Sequence, residues 1–153
     1  MAIYLVQHGK CLSKEQDPEK GISKTGAEET ERIAQVAAGY KVNVNRIIHS
    51  EKKRALQTAD IFSRLLTPAE GVEKGEGLKP LEDVTVWAPK LASSENLMLV
   101  GHQPFMEKLT GLLTTGSEDM IPFKFQNSGI VCLDRHADSN KWFIQWSLMP
   151  NIG

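Results

Sequence analysis

The chain of 153 residues is short of the features that commit a protein to a specialised class. Its two cysteines, Cys11 and Cys132, stand far apart and form no C-x-x-C. That excludes a disulfide framework and a zinc knuckle, and each thiol is expected to be a small buried or half-buried side chain. No apolar run approaches the roughly 20 residues of a membrane span, and the opening run is too short for a signal-peptide core and has no basic region ahead of it. A soluble cytoplasmic protein is the expectation. A formal net charge of -1 gives no general attraction to nucleic acid or to an anionic membrane, so neither is expected as a partner. An anionic ligand would need a local cluster of cations, and Lys52-Lys53-Arg54 is the one dense basic run.

There is no internal repeat, no low-complexity tract and no linker long enough to separate a pair of domains, so one domain over residues 1–153 is expected. At 41% hydrophobic and 24% charged residues, a chain of this length buries about 70% of its unfolded surface. A proper core follows. The stretch from Glu70 to Gly77 is polar and glycine-rich and reads as surface.

Three short apolar runs, Ile3 to Val6, Arg46 to Ile48 and Leu97 to Val100, have the length and type of buried strands. Helical patterns lie between them. In the segment from Ala27 to Gly39, Ile33, Val36 and Ala37 recur at helical spacing, Thr25 and Glu28 have capping-box spacing, and Gly39 is placed to close the helix. Ser50 is a good N-cap for a second helix whose stripe is Ala55, Ala59, Phe62 and Leu66, ended before Pro68. A third helix between Glu82 and Ser93 would be broken or kinked by Pro89. The fourth has Pro104 in its first turn, Phe105, Leu109, Leu112 and Leu113 on one face, and Gly116 past its end. Ile130 to Leu133 and Trp142 to Leu148 read as a closing antiparallel hairpin, with Trp142, Ile144, Trp146 and Leu148 on one face. The alternation predicts a three-layer α/β/α sandwich with a mostly parallel sheet and antiparallel C-terminal strands at its edge.

In open α/β sheets ligands bind beyond the carboxyl ends of the strands, and here those ends are followed by Gln7-His8-Gly9, by His49-Ser50-Glu51-Lys52-Lys53-Arg54 and by Gly101-His102-Gln103-Pro104. His8 and His102 each stand directly after an apolar run and beside a glycine, which permits close backbone approach to a ligand. His49 and His136 read as solvated loop residues. Metal chemistry has no support, because no histidine pair has H-x-x-x-H, H-x-H or H-E-x-x-H spacing, and no metal and no cofactor is expected. A serine hydrolase has none either, since G-x-S-x-G is absent. Phosphate chemistry suits the residues: an arginine fork for paired oxygen contacts, imidazoles as donors or nucleophiles, and a helix N-terminus.

These segments resemble a known set of motifs. "LVQHG" resembles the L-V-R-H-G signature of the histidine phosphatase superfamily, "HSEKKRALQTA" its S-x-x-x-R-A-x-Q-T-A segment, and "LVGHQP" its second-histidine segment, in the same order and spacing. "DPEKGISKTG" and "LKPLEDV" are similar to further segments of the short SixA-type phosphohistidine phosphatases, which have a phosphoglycerate mutase-like core without the inserted cap. The resemblance implies a phosphatase whose substrate is a phosphorylated protein, such as a histidine phosphotransfer domain, or a small phosphorylated molecule. It implies His8 as nucleophile, His102 and Arg54 as groups that bind the phosphoryl oxygens, and Lys20 where the family has a further phosphate-binding arginine. Glu82 and Asp83 are candidate general acids by position, or else plain helix N-terminal carboxylates. A monomer is expected.

Two residues depart from the signature: Gln7 stands for its arginine, and Lys10 for an acidic residue. An amide still donates a hydrogen bond to a phosphoryl oxygen, but it is neutral and makes no two-pronged ionic contact. The exchange should forfeit about 1 to 3 kcal/mol of transition-state stabilisation, with Lys10 placed to restore some positive charge. The expectation is an active phosphatase with altered phosphate contacts. The alternative is a module of the same fold that binds a phosphorylated partner without turnover.

Overall fold

The structure, a computed structural model, describes residues 2–152; Met1 and Gly153, the outermost residues of the expected domain, lie outside it. The strands are β1 (Ile3–Gln7), β2 (Arg46–His49), β3 (Val72–Lys74), β4 (Leu97–Gly101), β5 (Ile130–Arg135) and β6 (Trp142–Leu148), in one sheet of order β3-β2-β4-β1-β5-β6. The first four are parallel, while β5 runs antiparallel to β1 and β6 antiparallel to β5. The helices are α1 (Lys24–Gly39), α2 (Lys53–Leu66), α3 (Ala88–Ala92) and α4 (Phe105–Thr115), with a 3-10 turn at Val84–Val86. This is the α/β sandwich that the alternation predicts. Among the described residues no helix is long and apolar enough to cross a membrane.

Strand side chains alternate between two cores. Tyr4, Val6, Met98 and Val100 join Ile33 and Ala37 of α1 and Ala55, Ala59 and Phe62 of α2 on one face. Ile3, Leu5, Leu97 and Leu99 join Leu91 of α3 and Phe105, Met106 and Leu109 of α4 on the other. Both faces are covered, which is why these strands read as continuous apolar runs. The chain travels from β1 to β2 to β3 beneath α1 and α2, then returns to β4 across the opposite face. Parallel crossovers are right-handed, so reversing the direction of travel changes the face that the connection covers.

The register sets the site. Gln7 pairs with Gly101 and His49 with Val100, so the carboxyl ends of β1, β4 and β2 are level. The polar residues that follow each strand therefore emerge along one edge.

Several local expectations are corrected. The N-cap of α1 is Ser23, whose hydroxyl accepts the Gly26 N–H at 3.0 Å, and not Thr25; Ser23 is placed by its own N–H, which donates to the Lys10 carbonyl at 2.8 Å. Tyr40, not Gly39, caps the far end, and Lys41 takes the left-handed backbone. Lys52 replaces Ser50 as the N-cap of α2, because the Ser50 hydroxyl is drawn to His102. Within 70–77, Val72–Lys74 is an edge strand paired with β2. Pro89 is tolerated because it falls in the first turn of the short α3. In β6 a bulge moves the pairing from Cys132 with Trp146 to Leu133 with Ile144. It divides the four residues expected on one face, sending Trp146 and Leu148 to the α1/α2 core and Trp142 and Ile144 to the other.

Gly26 is where α1 meets the segment after the first strand: a Cβ there would overlap the Lys10 carbonyl, a backbone atom with no freedom to swing away. Gly26→Ala should therefore cost about 1 to 3 kcal/mol, read as a lower urea midpoint. An unchanged midpoint would mean that the two backbones are not held in contact.

Candidate active site

His8 is fixed by its backbone before its ring does anything. Its N–H donates to the Gly101 carbonyl at 2.9 Å, continuing the β1–β4 ladder, and its own carbonyl accepts the Asn127 Nδ2 at 2.8 Å. The next N–H, that of Gly9, donates to Thr58 Oγ1 at 2.9 Å, and the Thr58 hydroxyl donates to the Arg54 carbonyl at 2.7 Å. This hydroxyl ties the end of β1 to the first turn of α2. Gly9 has no room for a side chain, since a Cβ would lie 2.9 Å from Thr30 Oγ1 and 3.1 Å from Ser128 Oγ.

The ring is oriented as well. His8 Nδ1 lies 2.7 Å from the Gly9 carbonyl oxygen, which can only accept, so the ring proton sits on Nδ1 and Nε2 keeps its lone pair.

His102 faces it across 5.1 Å between ring centroids and is 1% exposed. Its Nε2 lies 2.7 Å from Ser50 Oγ, and that oxygen already accepts the Lys52 N–H at 3.3 Å. With the Ser50 proton directed at Nε2, the His102 proton sits on Nδ1. Nδ1 is buried and has no hydrogen-bond partner. Buried donors are seldom left so.

Both rings are held neutral. Burial lowers His8 from 6.5 to about 4, with the charges of Arg54 and Lys20 adding to it against the opposing bond to Gly9. Burial also lowers His102 to about 3, helped by His8, Arg54 and Lys52. The cations work in the expected direction, but desolvation is the larger cause in both rings.

Arg54, in the first turn of α2, bears on both imidazoles. Lys20 shares a cavity with it and reaches the site from a pinned loop. The Asp17 carboxylate accepts the N–H groups of Glu19 and Gly21, each at 3.0 Å, and Lys53 Nζ at 2.9 Å, bonds that hold its pKa down at about 2. Lys20 turns this loop with a left-handed backbone, φ 51°. Gln57 Oε1 accepts the Ile22 N–H at 2.7 Å, so α2 clasps the loop that carries Lys20.

Of the residues expected at the site, His8, His102, Arg54 and Lys20 come together. Gln7, the residue before His8, lines an adjoining cavity with Lys10, Gln103, Glu107, Lys124 and Asn127. Lys10 is 3.2 Å from the buried Glu29 carboxylate, so its charge is already matched. Asp83 accepts the Thr85 N–H at 2.9 Å and the Thr85 hydroxyl at 2.7 Å, which lowers its pKa, the wrong direction for a general acid. Glu82 is exposed. His49 is not a solvated loop residue: it is buried at the end of β2, its Nδ1 donating to the Ser50 carbonyl at 2.8 Å. His136 is exposed, with its ring 4.6 Å from Phe143.

Asn127, Thr30 and Ser128 were not singled out from the sequence. Thr30 Oγ1 and Ser128 Oγ lie 2.6 Å apart behind Gly9, and the Ser128 N–H donates to the Gln7 carbonyl at 2.9 Å. The only trace of them is the turn-like Asn127-Ser128-Gly129 before β5.

A mostly parallel sheet with two facing neutral histidines and an arginine at its carboxyl edge, and no inserted cap, has the form of a histidine phosphatase core. The comparisons agree with the likeness carried by the motifs. The chain is 24% identical to phosphohistidine phosphatase SixA of Escherichia coli strain K12 over 156 residues, 98% of this chain and 94% of that protein. A structure of the protein histidine phosphatase SixA complexed with tungstate superposes with a TM-score of 0.85 at 23% identity, over 98% of this chain and 97% of the other. One from Agrobacterium tumefaciens, assigned to SixA, superposes with a TM-score of 0.80 at 25% identity, over 97% of each chain. No family model matches the chain.

The paired neutral rings make stability depend on pH. Below about pH 6.5 both imidazoles gain protons in the unfolded chain but not in the folded one, so acid favours unfolding. The loss should be about 1.4 kcal/mol per pH unit for each ring, continuing down to the folded pKa values. The melting temperature should fall steadily from about pH 6.5 to about pH 4.5, and His102→Asn should remove roughly half of the slope. A melting temperature flat over that interval would show that the rings are not held neutral.

Proposed function

We propose that the chain is a phosphohistidine phosphatase that works through a phosphoryl-enzyme intermediate on His8. The observation that carries this reading is the pair of imidazole nitrogens just described: an available lone pair on His8 Nε2 opposite a buried, partnerless donor on His102. A phosphoryl group supplies what each of them needs, an electrophilic phosphorus for the one and an acceptor oxygen for the other. Arg54 and Lys20 neutralise the remaining oxygens.

In the first step His8 Nε2 bonds to phosphorus as the bond from phosphorus to the substrate's imidazole nitrogen breaks. The substrate ring leaves with the electron pair and takes a proton from solvent. Water then attacks phosphorus, inorganic phosphate departs, and neutral His8 is restored. A charge-spread transition state of this kind is served by fixed cations and donors, with little other covalent work for the protein. The phosphoramidate leaving group makes a dedicated acid dispensable, which accords with the lowered pKa of Asp83. The physiological substrate in this reading is a phosphorylated histidine phosphotransfer domain, and the enzyme acts as a monomer.

The runner-up is a module that binds the phosphorylated partner without turnover, and the neutral Gln7 is what favours it. Incubation with a phosphorylated histidine phosphotransfer domain separates the two. Catalysis predicts phosphate release that falls about a thousandfold or more in His8→Ala, with label from radioactive substrate trapped on His8 in the wild type. Release equal to that of the variant would leave only binding.

Gln7→Arg should raise kcat/KM about ten- to a hundredfold by adding a charged contact to the oxygens. A rate that stays level or drops would show that the pocket is built around the amide and around the Glu107 carboxylate that shares its cavity.

A further inference from the structure

The cavity lined by Arg54 and Lys20 carries more positive charge than one phosphoryl group requires. Lys14, Lys20, Lys52, Lys53, Arg54 and Lys74 line it against two carboxylates, Glu19 and Glu51. Both carboxylates are committed: Glu19 lies 3.7 Å from Lys53 Nζ, which Asp17 also holds, and Glu51 lies 3.0 Å from Lys79 Nζ. Among the described residues Lys14, Lys20, Lys52, Lys74 and Arg54 have no ion pair. The whole chain has a formal net charge of -1, so this is a local concentration and not a reflection of overall composition.

The cations divide by position. Arg54 and Lys20 are the charges that act on the His8 ring. Lys14 and Lys74 do not figure there, are exposed, and come from separate segments, the loop before Asp17 and the edge strand β3. They sit beyond the phosphoryl clamp and face whatever surrounds the phosphoryl group on its carrier. Unpaired exposed lysines around an open basin steer and orient an oppositely charged surface.

We infer that Lys14, Lys52 and Lys74 form a docking rim for an acidic protein surface, with Asp or Glu side chains flanking the phosphorylated histidine of the substrate. The inference rests on the phosphohistidine reading of the site and names the kind of partner that site takes. A protein carrier fits better than a small second anion, because Lys14, Lys52 and Lys74 are each exposed and come from three separate segments.

Binding tests this without turnover. His8→Ala is titrated with two matched peptides that carry a stable phosphonate mimic of phosphohistidine, one flanked by Asp and Glu and the other by Asn and Gln. At low salt the acidic peptide should bind about tenfold more tightly, and the gap should close as salt is added. It should also close in the further double variant Lys14→Gln with Lys74→Gln, while affinity for the neutral peptide stays as it was. Equal affinities at low salt, a gap that survives the double substitution, or no binding of either peptide would overturn the rim. Failure of the phosphatase reading shows separately. Wild-type protein that releases no phosphate from either authentic phosphohistidine peptide refutes catalysis, whereas the affinity gap in His8→Ala still decides the docking surface.

Discussion

Everything at the site depends on keeping two imidazoles side by side at the carboxyl edge of the sheet, His102 buried and His8 half-buried. Ring centroids 5.1 Å apart would repel strongly if both were protonated, and burial holds each ring neutral well below its ordinary range. Neutrality leaves a lone pair on His8 Nε2, and it is a consequence of the sheet. Because Gln7 is level with Gly101, the residues after β1 and β4 emerge side by side, under the first turns of the helices. The apolar runs that build the core thus also set the proton state of the groups at its edge.

The polar shell around those rings consists of hydroxyls and an amide, each spent on a backbone or a ring. Thr58 joins Gly9 to α2, Asn127 holds the His8 carbonyl, and Ser50 bonds His102. Each such bond contributes only about 1 kcal/mol to stability, yet each removes a way for a ring to turn. Precision of placement comes from these contacts rather than from the hydrophobic clusters. Those clusters fix where the strands end but not which way an imidazole faces.

The division explains what could be read from the sequence. His8 and His102 were legible as candidates because each directly follows an apolar run, and Arg54 because it ends the one dense basic run; the motif resemblance is what joined the three. Ser50 was legible as a hydroxyl near a helix start, but its use was not: besides accepting the Lys52 N–H it reaches His102 across the fold, a contact that its place in the sequence does not announce. Thr30, Asn127 and Ser128 act through hydrogen bonds across the fold and leave no periodic trace. The edge strand β3 was hidden for a related reason. One of its three residues is apolar and glycines flank it, so no apolar run marks it; its pairing with β2 rests on backbone hydrogen bonds and on the Arg46–Glu73 ion pair at 3.3 Å. The β6 faces were misjudged because strict alternation assumes no bulge.

The exchange of arginine for Gln7 then acquires a spatial meaning. On the Gln7 side the cations are matched, Lys10 at 3.2 Å from Glu29 and Lys124 at 3.7 Å from the buried Glu107. On the other side Arg54, Lys20 and the rim lysines are not. Positive potential at the mouth is therefore one-sided. In the proposed reading a phosphoryl group is drawn toward Arg54 and Lys20, while the cavity beside Gln7 offers amide hydrogen bonds and cations that are already paired. An arginine at position 7 would face a carboxylate that is already buried, and its cation would be shared between Glu107 and the substrate. The neutral amide thus fits a site whose unpaired charge is concentrated on the α2 side, where the proposed docking of an acidic carrier would fall.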